Sequence, residues 1–252
     1  MGDGIRWLPE GGETGYLSGV TMARGIDAQE LALRMGAQPG TGTEPITHAE
    51  VLQLDMLIYR PGDRGDGIVR IGEHAGWAFA FEYGDSTGSE RLEEISRDGV
   101  EVVHYTPVRE HPPALVCYAR DGHHICGFGL GEESTRWGEE PDLLLPALVA
   151  ADILDPDGTT YRRPDDEHHT ARNRRTLAVV EQHFGLDLPQ ALLTHALLPA
   201  YAVMGTPDMT TEDPDFDAAC AWATANGHPL PTGRLRLLPD VTRQAYRWAM
   251  RH

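Results

Sequence analysis

Two apolar runs, residues 115–120 and 123–128, flank the dipeptide Asp121-Gly122, and no other feature restricts the chain as much. Asp-Gly is a favoured pair for a type I′ turn, whose twist matches that of the flanking strands. The spacing predicts a two-residue β-hairpin with Arg120 opposite His123 and, counting back, Cys117 opposite Cys126. Alternation makes the cysteines a non-hydrogen-bonded pair with Cα atoms ~4.5 Å apart. His124 would share their face, and His104 or His123 could add a fourth zinc ligand. Cysteine is a common small buried hydrophobe, however, and this spacing is no recognised zinc motif. Core packing is therefore expected, and no metal site is assigned. Three cysteines without a secretory signal argue against a disulfide framework.

Further strands are expected at 68–71 and 77–83, joined through Glu73-His74-Ala75-Gly76, and at 100–105. In the second of these Trp77, Phe79 and Phe81 alternate onto one face, the period of a half-buried strand. A helix opens at Asp27, with Glu30 completing a capping box and Gly36 as its stop. Thr47-x-x-Glu50 starts a second helix, expected to be short because residues 54–59 read at least as well as a strand. A short helix at 91–96 ends at Asp98-Gly99. Residues 2–19 are Gly-rich and irregular, with Trp7, Leu8, Tyr16 and Leu17 expected on the surface of the core. Later helices are expected at 142–154, 170–184 and 190–204, with a polar, mobile segment at 155–169. Strands followed by helices predict an α+β domain over residues 1–204, an antiparallel sheet with flanking helices.

Composition narrows the chemistry. All 21 basic residues are arginine, which removes lysine Schiff-base catalysis. No apolar run approaches the ~18–20 residues of a membrane span, and a cytoplasmic protein is expected. Gly127-Phe128-Gly129-Leu130-Gly131 runs into Glu132-Glu133, whose carboxylates would repel a phosphate. The acidic groups Glu132-Glu133, Glu139-Glu140 and Asp165-Asp166-Glu167 lack the calcium-loop pattern and read as solvated charge. The vicinal pairs His123-His124 and His168-His169 read as surface histidines. No catalytic residue or cofactor is assigned, and a non-catalytic role is expected.

Gly76-Trp77-Ala78-Phe79-Ala80-Phe81-Glu82, the helix carrying Leu92 and Ser96, and Tyr118-Ala119-Arg120-Asp121-Gly122 resemble an uncharacterised actinobacterial domain family over roughly the first 200 positions. That resemblance implies no particular activity.

The C-terminal stretch differs from everything before it. Between Asp217 and His252 five arginines face two aspartates, about +3, which leaves about −21 of the formal −18 to the rest. An acidic body repels DNA and anionic lipid, whereas a basic tail is attracted to either. Residues 205–214 read as a linker, and 215–252 as a helix-loop-helix module with helices at 216–225 and from Pro239 or Asp240 to about Arg251. Arg243, Arg247 and Arg251 fall on one side of the second helix, opposite Val241, Ala245, Trp248 and Ala249.

Trp222-Ala223, Asn226-Gly227-His228, Gly233-Arg234-Leu235, Val241 and Ala245-Tyr246 together resemble the DNA-binding domain of the actinobacterial H-NS-like xenogeneic silencer. In that family an Arg-Gly-Arg turn enters the minor groove of AT-rich DNA. Gly233 and Arg234 match it, Thr232 replaces the first arginine, and Arg236 offers a substitute charge. The resemblance implies AT-rich duplex as a partner, with Thr232, Gly233, Arg234 and Arg236 at the groove and Arg243 and Arg247 on phosphates. The competing expectation is an interaction or immunity-type protein. Its acidic surface would capture a basic partner or mimic DNA, and its tail would dock on the acidic body, in cis or on a second copy.

Overall fold

The computed structural model describes residues 4–10, 16–58, 67–84, 87–107, 113–162 and 168–203, with side chains undescribed at 54–58. Its centre is a seven-stranded antiparallel sheet in the order β6-β5-β4-β1-β3-β2-β7. The strands are β1 (Gly19–Arg24), β2 (Gly67–His74), β3 (Trp77–Gly84), β4 (Glu101–Thr106), β5 (Leu115–Arg120), β6 (His123–Gly129) and β7 (Ala200–Val203). The helices are α1 (Ala28–Arg34), α2 (His48–Ile58), α3 (Thr87–Glu90), α4 (Leu92–Ile95), α5 (Leu145–Ala150), α6 (His169–Phe184) and α7 (Gln190–Thr194). The α+β class and antiparallel sheet expected from the sequence are present.

Helices cover both faces of the sheet. One core joins Trp77, Phe79, Phe81 and Tyr83 of β3 to Val51 of α2, Leu148 of α5, Leu177 and Val180 of α6, and Leu193 of α7. The other joins Ala78 and Ala80 to Leu31, Ala32 and Met35 around α1, and to Leu92 and Ile95 of α4. The alternation in β3 is therefore real, but the half-buried strand is a misreading: every residue of β3 is buried. Small Ala78 and Ala80 let the second helical layer approach, so the alternation is large against small.

The central strand, β1, escaped the sequence reading. It is buried from Gly19 to Ala23 and pairs with β3 on one side and β4 on the other. A strand buried on both faces carries no polar alternation to betray it. Trp7, Leu8 and Leu17, expected on the surface of the core, are inside it, whereas Tyr16 is exposed. Trp7 Nε1 donates to Leu188 O at 2.6 Å and ties the N-terminal segment to the chain after α6.

The caps behave as their sequences require. Asp27 accepts from Glu30 N at 2.8 Å, and Gly36 takes φ +96° after α1. Thr47 Oγ1 accepts from Glu50 N at 3.2 Å while Glu50 Oε2 accepts from Thr47 N at 2.8 Å, a reciprocal capping box. That helix then runs to Ile58, so the expected strand from residue 54 is corrected to helix. A short apolar run suits either state, and here the cap's register propagates.

Three later expectations also change. The helix expected at 142–154 is only α5, ended by the left-handed Asp152 at φ 54°. The helix expected at 190–204 divides into α7 and the edge strand β7, with Pro199 between them. Proline disfavours helical backbone in the residue before it, so the helix stops and the chain extends. The described part of the 155–169 segment, expected to be mobile, carries local hydrogen bonds. Asp157 Oδ1 accepts from Thr159 N and Thr160 N at 2.8 and 2.9 Å, and Leu154 bridges to Tyr161. Helix α6 ends at Gly185 (φ 67°) as expected.

Candidate functional site

The hairpin turn forms as predicted, with Asp121 at φ 55° and Gly122 at φ 81°. Arg120 pairs with His123, but a bulge follows: Ala119 pairs with His124, Tyr118 with Cys126 and Cys117 with Gly127. Ile125 is the extra residue, and both it and Cys126 join the α6-side core, whereas Cys117 packs against the α1-side core. One inserted residue reverses the face of everything beyond it. The facing Cys117/Cys126 pair, and the zinc face drawn from it, are thereby corrected. Burial pushes both thiols up to about 11, so neither is a ready thiolate. Among the described residues no three His, Cys, Asp or Glu side chains gather as a metal site.

A polar cluster that the sequence reading did not single out sits at the heart of the sheet. Thr21 of β1, Glu82 of β3 and His104 of β4 are each completely buried. They share the α1 side because Thr21 pairs with Ala80 and with His104, and Glu82 lies two residues beyond Ala80. Thr21 Oγ1 donates to Glu82 Oε1 at 2.6 Å and lies 2.8 Å from His104 Nδ1. Glu82 Oε2 accepts from Gly88 N at 2.8 Å, and His104 Nε2 is 2.8 Å from Thr106 Oγ1.

Gly88 belongs there for a steric reason. A Cβ at that position would lie 2.0 Å from Thr21 Oγ1, 2.5 Å from Glu82 Oε1 and 2.8 Å from His104 Nδ1. A hydroxyl, a carboxylate and an imidazole in contact are capable of proton relay, but all three are closed off from solvent. The visible sequence signal was an acid at the end of the apolar run Trp77–Tyr83 with a glycine six residues on.

Among the described residues one other acid and one arginine are buried. Glu133, expected to be solvated, is buried, and its Oε1 accepts from Gly131 N at 2.7 Å and Thr176 Oγ1 at 2.8 Å. That corrects the solvated reading for Glu133: it pins the loop after β6 to α6. Arg70 of β2 is completely buried on the α6-side face, donating to Leu193 O at 3.0 Å and Ala196 O at 2.6 Å. Tyr83 Oη accepts from it at 3.4 Å and lies 2.9 Å from His48 Nδ1.

Accessible charge gathers in two places. At the C-terminal end of α6 a crevice of about 180 Å³ is lined by Arg24, Glu101, Tyr118, Arg120 and His183. Arg24 Nε donates to Glu101 Oε2 at 2.6 Å and Tyr118 Oη to Glu101 Oε1 at 2.9 Å, while the guanidinium lies 4.6 Å above the Trp77 ring. Burial would raise the Glu101 carboxyl, but Arg24 and Tyr118 together hold it below its ordinary value. Burial, followed by the hydrogen bond to Glu101, pushes the Tyr118 phenol up to about 12.

The second place is an open groove of about 510 Å³ lined by Glu90, Arg91, Glu93, Glu94, Arg97 and Gly122. It lies between α4 and the β5–β6 turn. Of the paired acids and histidines read as surface groups, His123 Nδ1 meets Glu139 Oε1 at 2.8 Å on the surface, and the His168 and His169 rings lie 4.1 Å apart, tilted by 39°. The Asp165-Asp166-Glu167 group lies outside the described residues. So do Thr232, Gly233, Arg234, Arg236, Arg243 and Arg247, with the rest of 204–252, where a linker and a helix-loop-helix module are expected.

The fold and its sealed centre define a three-layer α+β domain that holds charged groups on both faces of one antiparallel sheet. Residues 6–207 match a family of unknown function (DUF6461), and the chain belongs to that family. The match ends before the basic C-terminal segment. No curated protein and no solved structure matches the chain. Among the described residues no helix is long and apolar enough to cross a membrane.

Proposed function

We propose that the chain is a non-catalytic DNA-associated protein of the cytoplasm, nucleoid or regulatory in role. Its C-terminal segment contacts the minor groove of AT-rich duplex. The observation that carries this reading is the segregation of charge: about +3 between Asp217 and His252, against about −21 elsewhere. Within that segment Gly233 permits close backbone approach, while Arg234 and Arg236 supply guanidinium groups to the negative potential of a narrow groove. Arg243 and Arg247 contact phosphates. The sealed Thr21-Glu82-His104 cluster fits a domain that supports the segment without reacting on a substrate.

The test is fluorescence anisotropy of the full chain on AT-rich and GC-rich duplexes at low salt. Arg234→Ala is expected to weaken AT-rich binding about tenfold, the scale of a lost groove contact. Equal affinity for both duplexes in wild type and variant would remove the minor-groove reading.

A second reading rests on the acidic balance of the body, and the groove beside α4, where Glu90, Glu93 and Glu94 stand with Arg91 and Arg97, offers a concave charged surface for it. There the acidic domain captures a basic protein partner and the tail docks. It predicts that such a partner still binds after residues 215–252 are deleted, and loss of binding would count against it.

A further inference from the structure

Helix α3 has only four residues, too few to hold a helical turn by its own hydrogen bonds. Its position must come from tertiary contacts, and the buried polar cluster supplies one. The Glu82 carboxylate reaches up from β3 to accept the Gly88 amide at 2.8 Å. The same carboxylate is fixed from below by Thr21 Oγ1 at 2.6 Å, and Thr21 is in turn braced by His104 Nδ1 at 2.8 Å. Three strands thus hold one backbone N–H.

From that point an unbroken run of contacts leads outward. Arg91 N donates to Thr87 O at 3.1 Å, Ile95 N to Arg91 O at 2.8 Å, and Gly122 N to Ser96 O at 3.1 Å. Glu90, Arg91, Glu93, Glu94 and Gly122, which these bonds position, form with Arg97 the wall of the charged groove.

We propose that Glu82, braced by Thr21 and His104, is a latch: it holds α3 against the sheet and so sets the shape of the charged groove that residues 87–95 border. Releasing it opens residues 87–95 as a local unit while the sheet stays folded. The latch is independent of the DNA reading, since every group in it lies within the described domain. Burial gives it leverage, because a buried donor left without an acceptor is costly and the segment moves to rehydrate it.

Amide hydrogen exchange on the full-length protein tests the latch, comparing wild type with Thr21→Val and Glu82→Met. Thr21→Val keeps the shape of the side chain and removes only the brace. Amides at 87–95 are expected to exchange at least tenfold faster in both variants, while those of β4 and β5 keep wild-type rates. Unchanged exchange at 87–95, or an equal acceleration across the whole sheet, overturns the proposal. Should a variant not fold, wild-type exchange in low denaturant decides. The 87–95 amides must then open at lower denaturant than those of β1 and β4, and a single common transition refutes the latch.

Discussion

The two faces of the sheet solve the same problem with opposite charges. On the α6 side β2 buries a cation, Arg70, whose partners are the carbonyls of Leu193 and Ala196 at the end of α7. On the α1 side the neighbouring strand β3 buries an anion, Glu82, whose partners are the Gly88 amide in α3 and the Thr21 hydroxyl. In each case the sign of the charge matches what the flanking segment offers: unsatisfied carbonyls after a helix, amides within its first turn. The difference lies in redundancy. Arg70 reaches several acceptors with a stiff five-donor fork, whereas Glu82 holds the Gly88 amide through one oxygen, Oε2, while Oε1 meets Thr21 Oγ1 at 2.6 Å and His104 Nδ1 at 3.4 Å. The cation side acts as a permanent clamp, and the anion side as a relay that one substitution can interrupt.

Substitutions should separate the two sides. The largest effect is expected for Arg70→Met, which leaves the Leu193 and Ala196 carbonyls buried without donors. A loss of about 3 kcal/mol or more in the urea unfolding free energy follows from stranding two such groups. A loss under about 1 kcal/mol would mean that α7 is held by packing alone.

Gly88→Ala should cost less, about 2 kcal/mol, as an overpacked site whose neighbours can shift. The Cβ would drive between Thr21, Glu82 and His104. Wild-type stability in this variant would show that α3 is not tightly seated, and the contrast between the faces would disappear.

Tyr118→Phe marks the small end, because the pair it disturbs is partly open to solvent. Loss of the bond to Glu101 is expected to cost about 1 kcal/mol near neutral pH. Glu101 is depressed in the folded protein, so its contribution is present above the ordinary carboxylate range and is lost as pH falls through the folded value. The gap between wild type and Tyr118→Phe should therefore narrow on acidification. A constant gap across that range would assign the loss to packing against Phe184 instead.

Local chemistry made parts of the fold legible. Asp121-Gly122, Thr47 with Glu50, and Asp27 with Glu30 each act over two to four residues, and each formed as its residues require. What the sequence concealed depends on distant partners. Strand β1 is recognisable only once both covering layers are known, because its residues are buried on either side. The bulge at Ile125 adds one residue to a hairpin whose turn is otherwise regular, so counting from the turn put the two cysteines together wrongly. Glu82 and His104 look like ordinary polar strand residues until β1 brings Thr21 between them. Arg70 gave no signal at all, since the Leu193 and Ala196 carbonyls that it holds lie more than a hundred residues away in the chain.

The domain thus uses its buried charges to fix its own helices, while the net charge of the sequence is divided between an acidic body and a basic end. The claim that the basic end meets DNA is tested most directly by the salt dependence of full-chain affinity for an AT-rich duplex. With two to four phosphates neutralised, the plot of log K against log salt should fall with a slope of about −2 to −4. A slope near zero, or no binding at the lowest salt, would contradict it.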